Sequence, residues 1–319
     1  MSQDILEISS FASCDQKAYG FGVASQHWQL KDMLRVSGRS LVFPKECNVM
    51  SYDLSTCITS TIYAGMDFLP TAICVKNSML AVGGAKGQLS IKNLATDETT
   101  SRVISTSINN NICIHDDKLF VCNNDRTLRI LTMDLKNEQN IMHVAQVNSC
   151  AVSPDNKLLA VAGDSNDVFV YSLESEGCRL IMKLKSANDG GFSAAWNSSS
   201  SAFAVGTQDG YVCVWDIRGS GVLHRLESKQ RDGHRGAVRN VKFSMKGSLD
   251  LLFFTEQLSY ATICDTRDMR RIQRIKIFPD RQITGATFSE NSEKIFVSTD
   301  DQVKCLNINT KPRRMFADA

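Results

Sequence analysis

Ala202-Phe203-Ala204-Val205-Gly206-Thr207, then Gln208-Asp209-Gly210, then Tyr211-Val212-Cys213-Val214-Trp215-Asp216: this stretch decides the fold. Two apolar runs flank an Asp-Gly turn, a strong short-range signal for a β-hairpin. Just upstream, Phe192-Ser193-Ala194-Ala195-Trp196 is a third strand, separated from the hairpin by the polar turn at 197–201. Residues 192–216 therefore read as three consecutive antiparallel strands, the last ending in Trp-Asp.

The same cadence recurs along the chain. It is found at Val147 to Ser172, Ala72 to Asn93, Ile112 to Thr132, Val238 to Asp265 and Thr284 to Asn307. Positions equivalent to Asp216 fall at Asp53, Asn93, Thr132, Ser172, Asp265 and Asn307, with steps of 40, 39, 40, 44, 49 and 42 residues. A period of about 40–45 residues ending in Trp-Asp resembles the WD40 repeat, four strands per blade of a radial array. One small sheet cannot bury both of its faces, so such units are stable only when packed around a closed ring. Seven marks predict an all-β fold, a single seven-bladed WD40-type β-propeller spanning 26–310. Residues 1–25 form an N-terminal extension, either unordered or packed on the ring, and 311–319 a short basic tail around Lys311-Pro312-Arg313-Arg314. The run Gln26-His27-Trp28-Gln29-Leu30-Lys31-Asp32-Met33-Leu34 fits either a short helix or an outer strand.

Composition agrees with one globular unit. The 319 residues are 43% hydrophobic, enough for a sizeable core. A net charge of +2 leaves no overall electrostatic footprint for nucleic acid or an anionic membrane. No apolar run reaches transmembrane length, and the first residues lack a signal peptide's basic-then-apolar order. The expectation is no membrane and a cytoplasmic or nuclear location. None of the eleven cysteines forms a CxxC pair, so the pattern reads as small buried thiols rather than a zinc site or disulfide framework.

Motifs for chemistry are missing. There is no P-loop, HExxH, GxSxG or EF-hand loop. Gly83-Gly84-Ala85-Lys86-Gly87 lies between two strands and reads as a blade turn. Asp116-Asp117 and Asp300-Asp301 read as turns, where aspartate bonds its own backbone. The five histidines show no metal spacing, and His234 reads as a structural or surface residue. The expectation is a non-enzyme with no cofactor and no metal.

A narrower resemblance rests on Gln26-His27-Trp28-Gln29-Leu30, on Val152-Ser153-Pro154-Asp155-Asn156-Lys157 with Gly163-Asp164-Ser165, on Gly206-Thr207-Gln208-Asp209, and on Leu251-Leu252-Phe253-Phe254-Thr255-Glu256-Gln257 running to Cys264-Asp265-Thr266-Arg267. Together they resemble a little-characterised fungal and plant WD-repeat family whose C-terminal segment is a domain of unknown function. That family is related to a substrate receptor of the GID ubiquitin ligase, which recruits proteins through their N-terminal residues. The resemblance implies a protein–protein interaction module, a substrate receptor or scaffold, present as a single copy in a larger complex. Its partners would be ubiquitin-ligase subunits and client proteins. WD40 geometry further implies that Lys86, Arg126, Asn166, Asp189, Asp209, Arg235, Glu256 and Arg281 share one rim around the central channel, where arginine favours binding hot spots. The alternative is a scaffold in a ribonucleoprotein or chromatin assembly. It would use the basic patch Arg267, Arg270, Arg271 and Arg274, whose other reading is a solvated hairpin. Far-UV circular dichroism should show a strand-dominated spectrum; predominant helix would overturn the propeller.

Overall fold

In the computed structural model, seven antiparallel sheets stand around a common axis. The structure describes residues 6–8, 11–15, 18–27, 29–174, 177–231, 233–245 and 250–309. The expected basic tail at 311–319 lies outside the described residues. Five blades are contiguous four-stranded sheets, over 35–63, 70–103, 109–142, 147–185 and 191–227. The sixth spans 238–276 and the seventh 285–308. No helix occurs among the described residues. Within the consecutive strands of every blade the one nearest the axis comes first in sequence, and among the described residues the seventh has three such strands.

Five of the seven repeat marks sit at one structural position because they do one job, whereas Ser172 lies inside the strand Ser165–Glu174. Asp53, Asn93, Asp216 and Asp265 end or nearly end the third strand of their blades, and each carboxylate or amide oxygen accepts from backbone N–H groups two or three residues on. Thr132 performs the same capping with its hydroxyl, which accepts from the Lys136 N–H. A short polar side chain that caps a tight turn fixes the register of the hairpin it closes. The apolar residues between marks fill the seams between blades. Phe203 stacks on Trp215 at 5.1 Å and lies 5.0 Å from Trp196. The Trp196 Nε1–H reaches the Ala151 carbonyl of the preceding blade at 2.8 Å.

Ring closure uses the segment expected to precede the ring. Ala12–Cys14 pairs antiparallel with Val303–Ile308 and supplies the outer strand of blade seven. Leu6–Glu7 pairs in parallel with Arg271–Lys276, giving blade six a fifth strand. The side-chain amide of Gln273 locks this arrangement. Its Oε1 accepts from the Ala12 N–H at 2.7 Å, and its Nε2 donates to the Ala12 carbonyl at 2.8 Å. The buried amide thus stands in for one residue of a neighbouring strand.

Gln273→Ala would leave a buried N–H and C=O unpaired. The expected loss is about 1–3 kcal/mol in urea unfolding, with earlier proteolysis at residues 6–15 than elsewhere.

Candidate functional site

Each inner strand runs from an upper face, which carries the connections between blades and the turns between second and third strands, to a lower face carrying the turns between first and second strands. The chain must travel from the outer edge of blade seven at Cys14 to the inner strand of blade one at Arg35. It does so across the upper face and through the channel mouth. Gly22 lies against the turn of blade seven, where a Cβ would stand 1.8 Å from the Asp300 carbonyl oxygen. Residues 23–27 and 29–34 then descend into the channel in irregular backbone. The expected helix or outer strand at 26–34 is therefore not formed. The competing requirement is filling the mouth, where backbone groups of this run bond His27 within it and side-chain and backbone groups of the surrounding blades.

Those contacts are specific. His27 Nδ1 accepts from the Gln29 and Leu30 N–H groups at 3.0 and 2.8 Å. Arg239 donates to the Gln29 carbonyl, and Asn240 to the Lys31 carbonyl, each at 2.7 Å. Leu30 packs with Phe192 and Ala237. Met33 N–H bonds the Thr284 carbonyl of blade seven, where Gly285 leaves room for the Leu34 backbone. At the bottom of the plug, Asp32 accepts from Arg35 Nη1 and from Lys242 Nζ, both at 2.8 Å. Burial works against the Asp32 carboxylate, but Arg35 and Lys242 outweigh it and hold its pKa below the ordinary value. Burial, reinforced by Lys31 and Arg239, lowers His27 to about 4, while its bond with Asn110 acts the other way.

Below the plug the channel opens downward as a cavity of about 650 Å³ lined by the inner strands of all seven blades. That volume lies in the usual range for ligand sites. Its floor is the Arg35–Asp32–Lys242 group. Its walls are polar at Asn111, Ser149 and Ser193, and apolar at Val152, Trp196, Phe243 and Phe288. At the mouth a hydrogen-bonded chain crosses blades two, three and four. Lys76 Nζ donates to His115 Nδ1 at 3.2 Å, His115 Nε2–H donates to Asn156 Oδ1, and Asn156 Nδ2 donates to Asp116 Oδ2 at 2.9 Å. A cleft of about 190 Å³ between blades three and four adjoins the mouth at His115, Asp116 and Asn156. Cys74, Cys113 and Cys150 line the large cavity, and burial pushes their thiols up, away from the reactive thiolate form. For Cys150 a bond with Cys122 is the larger cause. Among the described residues no group of three or more His, Cys, Asp or Glu could hold a metal, and no helix is long and apolar enough to cross a membrane.

The rim expected from sequence falls on the upper face, but around a mouth the chain itself occupies. Lys86, Arg126 and Asp189 are exposed. Others are engaged within the fold. Asp209 accepts from Thr207 Oγ1 and the Asn188 N–H, and Asn166 accepts from Lys185. Arg235 pairs with Glu227 at 2.6 Å and lies over the Tyr211 ring, while Arg281 pairs with Asp300 and Asp301. Glu256 is 1% exposed and accepts from the Lys229 N–H at 2.8 Å, so it is a buried loop anchor rather than a rim residue. Arg235 and Glu256 do meet, lining a small pocket of about 170 Å³ with Gln257 and Leu258.

The arginine segment is also largely neutralised. Arg267 pairs with Asp265 and Arg271 with Asp268. Arg274 is 16% exposed, with its guanidinium on Glu7 and on the Glu227 carbonyl, so it staples three chain segments and does not belong to an exposed basic patch. Arg270 is exposed. The cavity residues Asp32, Arg35, Lys76, His115 and Lys242 were missed by the sequence reading. One signal points to one of them: Lys76 is the single charge of its inner strand, at the end of the otherwise mostly apolar run Pro70–Lys76.

Comparison with known proteins places the chain among propellers. The model for the WD domain, G-beta repeat, matches residues 138–172 and 180–216, in blades three to five. The uncharacterised protein domain DUF2415 matches 236–276, essentially the whole of blade six. An uncharacterised protein of Schizosaccharomyces pombe is 24% identical, over 92% of this chain and 91% of its own length. An uncharacterised protein of Saccharomyces cerevisiae is 25% identical over 61% of this chain, which spans 32% of that longer relative. The solved structure of U3-55K superposes with a TM-score of 0.74 at 12% identity, covering 93% of this chain and 98% of that one, and shows the fold alone.

The plug should weaken in acid. A folded His27 pKa of about 4 against an ordinary 6.5 means the unfolded chain takes the proton first. Its contribution is complete above about pH 6.5 and is lost as pH falls toward 4, by roughly 2–3 kcal/mol. Urea unfolding of wild type should lose stability across that window, and His27→Gln should flatten the loss. Asp32→Asn, which unpairs Arg35 and Lys242, should cost about 1–3 kcal/mol at pH 7.

Proposed function

We propose that this propeller is a non-catalytic protein-interaction module that recruits a client, with a ubiquitin ligase as the complex it serves. Propellers built from WD40 repeats are typically interaction modules, and two repeats of that kind are recognisable here. The observation that carries the reading is the one-ended cavity. It is preformed and lined by rigid inner strands, and its floor and mouth are charged while its walls are largely apolar. Such a surface can hold a protein segment with both shape and polarity defined. Its thiols are pushed away from reactivity by their surroundings.

The upper face supplies a second contact surface. Exposed Arg126 stands beside Met142 and Val144, which are 69% and 71% exposed on the neighbouring strand and its following loop. An arginine flanked by bare apolar side chains suits a protein hot spot. Lys86 and Asp189 extend that face. A place in the cytoplasm or nucleus, as one copy inside a larger assembly, follows from the same reading.

Affinity purification of the tagged protein from its native cells, read by mass spectrometry, tests the proposal. Ubiquitin-ligase subunits and a small set of clients are expected, with Arg126→Glu losing part of the set. Retention of no specific protein would overturn the reading. Recovery of a defined complex without ligase components would keep the interaction module and discard the ligase.

A further inference from the structure

We infer that the lower cavity receives the C-terminal end of a partner polypeptide, with its terminal carboxylate seated between Arg35 and Lys242 on the cavity floor. The inference rests on the interaction-module reading and narrows it to one ligand chemistry.

The floor is short of one negative charge. Two cations, Arg35 and Lys242, share the single carboxylate of Asp32. Asp32 engages only Nη1 of Arg35, which also donates to the Leu34 carbonyl. Among the described residues, Arg35 Nε and Nη2 and the remaining protons of Lys242 have no protein acceptor, although both side chains line the cavity. One added carboxylate gives two cations and two anions in a partly desolvated site, where charge-assisted hydrogen bonds are strongest. A phosphate dianion would overshoot that balance. A polyanion would in addition meet Asp116 and Glu290 at the mouth.

The dead end selects a chain terminus. Residues 29–34 close the channel above, leaving a space of only about 20 Å³ within the plug itself. A chain that enters from below to reach the floor must therefore present an end. A net positive floor repels an ammonium group, so the end that fits is the carboxyl one. The walls suit the residues behind it. Each inner strand is paired with another strand on one side only, and on its other edge side chains of neighbouring blades already hold the Ala151 carbonyl and the Ala194 and Val241 N–H groups, so recognition rests on side chains. Asn111, Ser149 and Ser193 surround the deep part. Phe243, Phe288 and Trp196 form the apolar part, and Met245 stands 56% exposed beside them. Small or apolar residues before the terminal carboxylate match that sequence of surfaces.

Fluorescence polarisation with the full-length protein tests this. The probes are pools of short peptides of small and apolar residues, labelled with fluorescein at the N-terminus. One pool ends in a free carboxylate, one in an amide, and one in an amide with a single internal glutamate. The carboxylate pool should bind about tenfold or more tightly than the amide pool. Lys242→Met should abolish that preference while Arg35 keeps Asp32 paired and the protein stays folded by far-UV circular dichroism, with at most a lowered thermal unfolding midpoint. Met245→Glu, on an exposed side chain, should weaken the carboxylate pool by charge repulsion. Equal binding of the carboxylate and amide pools, no binding by any pool, or a preference that survives Lys242→Met would overturn the inference. Equal binding of the internal-glutamate and carboxylate pools would move the anion to a side chain and overturn the terminal assignment. Native partners that persist in Lys242→Met would leave the interaction module standing without this site. Wild type retaining no partner at all would remove the module itself.

Discussion

Seven small sheets, each apolar on both faces, have no stable state except a closed ring. Among the described residues, 285–308 supply three strands to the last sheet, and Ala12–Cys14 completes it. That pairing is reinforced by the Gln273 amide on the Ala12 backbone and by Arg274 on Glu7. It also sets the path of everything that follows. A chain that has just served as the outer strand of blade seven must reach the inner strand of blade one. The shortest way crosses the upper face and enters the channel mouth. The plug is thus a consequence of how the ring closes, and the one-ended cavity is a consequence of the plug.

The two faces differ electrostatically for the same reason. Above, the mouth is sealed by His27, Leu30 and their partners, and the charged loop residues around it mostly serve the fold. Arg235 binds Glu227, Arg281 binds Asp300 and Asp301, and Glu256 is buried against the Lys229 backbone. Below, the cavity retains charge that the fold does not consume. Asp32 arrives with the plug and is held ionised between Arg35 and Lys242, so the segment that closes one end builds the floor of the other.

Side-chain capping explains why the repeat was readable at all. Asp53, Asn93, Asp216 and Asp265 occur at a fixed place because a tight turn two residues later needs an acceptor there. Asn307, the last mark, has a different task. Its side-chain amide donates to Asp15 next to the closing strand. The arginines at 267–274 show the limit of such reading. Four positive charges in eight residues suggest a patch, yet Asp265, Asp268 and Glu7 answer three of them, and Glu7 is distant in sequence.

By itself the sequence determined the all-β class, the seven blades, the hairpins of blades two to seven and the absence of known catalytic motifs. These follow from local rules: strand alternation, turn chemistry and a regular period. Only the tertiary structure decided which strand closes the ring, what residues 26–34 do, and where an open cavity remains. Those outcomes depend on pairings between residues more than two hundred positions apart, such as Ala12 with Ile308, Gln29 with Arg239 and Asp32 with Lys242. The run at 26–34 has amphipathic spacing in isolation, but its backbone is satisfied by blades that exist only once the ring has formed.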